Sequence, residues 1–74
     1  MLYLREWRLA KQLTLKQLQA RCGIDFRVIS KYENDTIDPV LSKLTAIAEA
    51  LGIEQGDLFQ PPPTIHATKE TAHV

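Results

Sequence analysis

In LTLKQLQARCGIDFRVISKYEN, residues 13–34, two short helical segments stand only about three residues apart, and that spacing constrains the fold more than any other feature of the chain. Thr14 with Gln17 three residues on forms a capping box, and Leu13 with Leu18 supplies the accompanying hydrophobic staple. Gly23 ends this helix, because a positive φ carries no steric cost for glycine. Asp25 is the N-cap of the next, with Ile24 and Ile29 in the staple positions.

Apolar residues recur at spacings of three and four through most of the first 59 positions, and no stretch alternates long enough to make a strand. The fold class is therefore all-α. Leu4, Trp7 and Ala10 or Lys11 define the inward face of a first helix ending near Gln12. Asp38 and Pro39 read as N-cap and first position of a fourth helix with an apolar stripe of Leu41, Leu44, Ile47, Ala48 and Leu51, stopped by Gly52. EQGDLF, residues 54–59, suits a short fifth helix laying Leu58 and Phe59 on the core, although Glu54 is a poor cap and Gly56 weakens it. Residues 1–59 thus form one helical domain. Residues 60–74 open with three prolines and lack apolar periodicity, which marks a flexible tail. A free terminus, a truncated linker and a partner-binding segment all share that composition.

With 74 residues the chain has room for one small core, so function must reside on its surface. Lys plus Arg and Asp plus Glu number 9 each, and overall charge gives no argument for nucleic acid. Its distribution does. Residues 1–34 hold seven basic side chains against three acidic ones, a net +4, and the remainder holds two against six, a net −4. The first half is the candidate docking side for an anion. Cys22 is the only cysteine, which excludes an internal disulfide and fits a reducing, cytoplasmic setting. No apolar run approaches the roughly 20 residues of a membrane span, and no signal-peptide pattern is present, so a soluble protein is expected.

At roughly 100° per residue, Phe26, Arg27, Ser30, Lys31 and Asn34 share one arc of the third helix, while Val28, Ile29 and Tyr32 share the opposite one. Arg and Lys can donate to guanine O6 and N7, Ser and Asn can bond base edges or phosphate, and an apolar group can meet the thymine methyl. The arc suits a DNA major groove. Equally, a helix this short can show two basic residues outward by chance, and the helix alone leaves both readings open.

Two short helices, a glycine turn and a loaded third helix together resemble the phage-repressor (Cro-like) helix-turn-helix family. Leu18, Cys22, Ile24, Ile29 and Tyr32 fall at the motif's apolar positions, Gly23 at its turn and Tyr32 to Asn34 at its close. The similarity continues through DPVLSKLTAIAEALGI, residues 38–53, and covers about 55 of the 74 residues. It implies a compact five-helix bundle of the lambda-repressor-like type that binds double-stranded operator DNA as a symmetric homodimer. By the same resemblance Phe26, Arg27, Ser30 and Lys31 face bases, and Thr14, Leu15, Lys16, Asn34 and Lys43 lie near phosphates. The positive end of the second helix points at one of those phosphates. Arg8 and Glu33 match positions where an ion pair ties the first helix to the end of the third.

Some residues depart from the family pattern. Leu15 stands where glutamine often donates to phosphate, and Gln19 where alanine keeps the crossing of the second and third helices tight, so a wider crossing is expected. Asp35 replaces a frequent glycine, and with Asp38 puts negative charge near the DNA backbone. Modest affinity per monomer follows, with dependence on dimerisation or a partner. The dimer candidates are Leu58, Phe59 and Ile65, if left partly exposed beyond the fourth helix.

Plain readings suffice elsewhere. Cys22 serves as a small buried apolar residue, Trp7 and Tyr32 as core, and His66 and His73 as solvated side chains rather than metal ligands. No nucleophile triad or phosphate loop is present, so neither enzymatic activity nor a cofactor is expected. The expected function is a sequence-specific transcriptional regulator, a repressor at an inverted repeat. The alternative is a protein-interaction module, such as an adaptor or antitoxin, using Phe26, Leu58, Phe59 or the tail.

Overall fold

A computed structural model of the chain describes residues 2–63, and all of its regular structure is helical. Four α-helices, α1 (Leu4–Ala10), α2 (Leu15–Cys22), α3 (Phe26–Glu33) and α4 (Leu41–Leu51), are followed by one 3₁₀ turn, Gln55–Phe59. The anticipated fifth helix is thus a single tight turn. Only eight residues, 53–60, separate the stop at Gly52 from the prolines that begin at Pro61, and Gly56 lies among them, so no more than the five-residue turn forms. Ile65, His66, His73 and most of the proposed tail lie outside the described residues.

The caps of α2 and α3 follow from local chemistry. Thr14 Oγ1 accepts the Gln17 amide at 3.0 Å while Gln17 Oε1 accepts the Thr14 amide at 2.8 Å. Gly23 sits at φ 78°, in the left-handed region. Asp25 accepts the Arg27 amide at 2.7 Å. Two other stops use residues less suited to the left-handed region, Gln12 at φ 59° and Asp35 at φ 58°. In each the chain closes by a six-residue bond, Leu13 N–H to Arg8 O at 3.0 Å and Thr36 N–H to Lys31 O at 2.9 Å.

The fourth helix corrects two expectations. Its N-cap is Val40, without a side-chain cap, rather than Asp38. Pro39 lies ahead of the helix, half-buried in a cleft it shares with Tyr32 and Leu44, so it packs there instead of opening the first turn. Leu41, assigned to the apolar stripe, is 64% exposed, because the later start leaves it on the first turn and outside the core. Ala10 and Lys11 are likewise exposed, since α1 stops at Ala10 and only Leu4 and Trp7 reach the interior.

The core gathers Leu4, Trp7, Leu18, Ile29, Tyr32, Ile47, Leu51 and Leu58, with Cys22 half-buried at its edge. Helix α2 packs against α3 and α4, α1 against α3, and α4 against the 3₁₀ turn. Trp7 also acts as a polar clamp. Its indole N–H reaches Asp57 O at 2.8 Å and Gln60 O at 2.9 Å, and Tyr3 N–H reaches Leu58 O at 2.8 Å. The first helix therefore holds the last turn in place. None of the described helices is long and apolar enough to cross a membrane.

Candidate nucleic-acid interface

Helix α3 is bolted to the core by its inner side. Ile29 and Tyr32 are buried and Val28 packs against them, while Arg27 and Lys31 are exposed and Ser30 half-exposed. Phe26, which the helix period puts on the outward arc with Arg27 and Lys31, is not fully open to solvent. It is half-buried, with Lys16 Nζ 5.0 Å and Arg27 Cζ 5.7 Å from its ring centroid. Two cations thus flank the ring, each attracted to its electron-rich face.

The head of α3 is held by side chains that satisfy its first amides, which no helix can pair internally. Gln19 Oε1, projecting from α2, accepts the Phe26 amide at 2.8 Å, and Asp25 accepts that of Arg27. By spacing alone Gln19 is only a bulky residue at a helix crossing. Its amide instead links the two helices, a role visible only once the helices are placed.

Asp25 also takes the Arg27 side chain, with Nε to Oδ1 at 3.1 Å and Nη2 to Oδ2 at 3.1 Å. The outward arc is accordingly less cationic than residues 26–34 alone indicate, because the carboxylate next to it cancels part of the Arg27 charge. That side-chain pairing, followed by the Arg27 amide, lowers the Asp25 pKa from 3.8 to about 2. The carboxylate stays ionised at any neutral or mildly acidic pH.

Behind α3, Arg8 Nε donates to Glu33 Oε2 at 2.7 Å and Nη2 donates to Glu33 Oε1 at 3.2 Å. Arg8 Nη1 meanwhile donates to Leu13 O at 2.9 Å. The Glu33 side chain is only 2% exposed and that of Arg8 11%, and Arg5 approaches Glu33 at 3.6 Å. One guanidinium therefore joins α1, the turn before α2 and the end of α3. The Glu33 charge is nearly removed from water and compensated there.

The remaining candidates surround this head. The Thr14 side chain is occupied by its cap, and Leu15 is half-buried against the core, which leaves the Leu15 and Lys16 amides as the unpaired donors at this helix start. Lys16 is exposed beside Phe26, and Lys43 is exposed on the outer side of α4. Asn34 follows α3 and makes one long contact, Nδ2 to Ser30 Oγ at 3.5 Å.

Of the dimer candidates, Leu58 must be withdrawn. It is 0% exposed, because the 3₁₀ turn points it into the core beneath α4. Phe59 is 52% exposed and lines a cleft with Leu2, Ile37 and Pro39. Ile37, which no periodicity singles out, is also exposed, at 43%.

A family model for the helix-turn-helix matches residues 4–56. No curated protein matches the chain. Among solved structures, a hypothetical transcription factor, NHTF, from Neisseria superposes with a TM-score of 0.73 at 25% identity, covering 97% of this chain and 77% of that one.

Proposed function

The chain belongs to the helix-turn-helix family, and from that premise we propose that it is a sequence-specific, double-stranded DNA-binding transcriptional regulator. The observation that carries this reading is the two-sidedness of α3: Ile29 and Tyr32 buried behind it, Arg27 and Lys31 exposed in front. Such a helix can enter a major groove without disturbing the core that supports it.

In this reading Phe26, Arg27, Ser30 and Lys31 meet bases, with the guanidinium and ammonium groups directed to guanine. The start of α2 at Thr14 and Leu15, with Lys16, Asn34 and Lys43, meets phosphates and fixes the register. The protein acts as a repressor. It binds an inverted repeat as a homodimer, joined through the exposed apolar side chains Ile37 and Phe59 at the edge of the cleft that Leu2, Asp35 and Asp38 also line. Likeness to a hypothetical transcription factor supports the regulatory role.

Fluorescence anisotropy with duplexes selected from a random pool tests this. Wild-type protein binds the selected sequence, binding weakens as salt rises, and Arg27→Ala loses most affinity on that sequence. An equal loss on all sequences assigns Arg27 to phosphate alone.

A second reading, a protein-interaction module, draws on the exposed apolar side chains Ile37, Val40, Leu41 and Phe59. Sedimentation separates the two. A dimer that Phe59→Ser dissolves supports the regulator. A monomer at micromolar concentration, with and without DNA, removes the dimer and leaves the patch to another protein.

A further inference from the structure

We propose that Asp25 is a positioning residue that sets the base preference of Arg27; the inference rests on the DNA-reading function above. A long, exposed arginine samples many rotamers and donates to phosphate as readily as to a base. Reading guanine requires its guanidinium to present two parallel N–H groups in a fixed plane.

The geometry at the head of α3 supplies that plane. Asp25 grips the guanidinium along one edge, through Nε and Nη2. This side-on grip leaves the end-on pair, Nη1 and the outer N–H of Nη2, free. Beside the same group lies the Phe26 ring, 5.7 Å from Cζ, so an edge and a neighbouring ring both restrict it. The Arg27 side chain is nevertheless 76% exposed, and its free end is open to a ligand.

The holding groups are themselves held. The Asp25 carboxylate is tethered by the Arg27 amide at 2.7 Å, and the backbone of Phe26 by Gln19 at 2.8 Å. Asp25 is ionised wherever DNA binding is measured, since even its ordinary pKa of 3.8 lies far below neutral pH. A free guanidinium end held in this way matches the O6 and N7 acceptors of guanine. It meets the adenine N6 amino group donor to donor.

Two functions of Asp25 must be separated, capping and orientation. Serine is an equally good N-cap but cannot grip a guanidinium by two charged oxygens. The experiment therefore compares wild type, Asp25→Ser, Arg27→Ala and the double variant by anisotropy. Each is measured on the selected duplex and on duplexes in which each guanine is replaced by adenine, with circular dichroism melts to verify folding. Asp25→Asn, another good cap, provides a second variant should Asp25→Ser melt early.

Wild type should discriminate against the replacement at one position per half-site by roughly tenfold or more. Asp25→Ser should reduce that ratio to below about threefold, and Arg27→Ala should abolish it. Adding Asp25→Ser to Arg27→Ala should change the ratio no further. A folded Asp25→Ser protein that keeps the full ratio, with or without uniformly weaker binding, makes Asp25 a cap only and overturns the proposal. An undiminished ratio in Arg27→Ala overturns it too, while leaving DNA binding intact. Failure of wild type to bind any duplex removes the DNA-reading function itself, and this inference with it.

Discussion

Gln19 Oε1 accepts the backbone N–H of Phe26 at 2.8 Å, so α2 contributes a side chain that helps start α3. The two helices of the motif are joined by more than apolar packing, and the contact lies directly under the residues proposed to read bases. Gln19→Ala leaves the Phe26 amide to water. A loss of about 1 kcal/mol in urea denaturation is expected, the usual net worth of one such bond. No change at all would mean that water replaces the glutamine freely.

The Arg8–Glu33 pair carries a larger stake. Glu33 is almost wholly removed from water and Arg8 nearly so, and removing Arg8 leaves Glu33 with only the longer contact to the exposed Arg5 at 3.6 Å. Arg8→Ala is expected to cost roughly 3–5 kcal/mol. Because both single variants remove the same contact, Arg8→Ala and Glu33→Ala should be strongly non-additive in a double-mutant cycle. Additive losses would show that each residue acts alone.

Two helix stops place an L-residue in the left-handed region, and they should respond differently to glycine. Gln12 gains nothing from its side chain at φ 59°. Gln12→Gly should therefore stabilise by up to about 1 kcal/mol, the left-handed strain outweighing the added freedom of the unfolded chain. Aspartate tolerates φ 58° far better. Asp35→Gly should be close to neutral in the same denaturation assay, and a larger gain at Asp35 than at Gln12 would contradict this account.

Acid should uncouple the head of α3. The Asp25 pKa is depressed in the folded chain, so its contribution is complete above the ordinary 3.8 and is lost as pH falls towards about 2. Carbon-detected NMR titration should find the Asp25 carboxyl midpoint near 2 in wild type and higher in Arg27→Ala. Equal midpoints would show that Arg27 is not what holds the proton off.

Much of this architecture was legible because it is written in local chemistry. Thr14 with Gln17, Gly23, Asp25 and Gly52 mark helix ends through their own hydrogen bonds or dihedral freedom, and periodicity marks Leu18, Ile29, Ile47 and Leu51 as core. What local pattern misses is cross-element geometry. Pro39 looks like a helix opener until the cleft beside Tyr32 claims it, and Leu58 looks terminal until Trp7 and Tyr3 fasten its turn onto α1. At the candidate site, sequence assigns Phe26, Arg27 and Lys31 to one face. The grips of Asp25 and Gln19 depend on rotamers and helix placement that no spacing encodes.

The central claim is that the exposed side of α3 meets DNA, and amide chemical-shift mapping tests it most directly. Adding the selected duplex should shift the amides of Phe26, Arg27, Ser30 and Lys31 most, with smaller changes at Leu15, Lys16 and Lys43. Shifts confined to the cleft of Leu2, Ile37 and Phe59, with α3 unmoved, would contradict it.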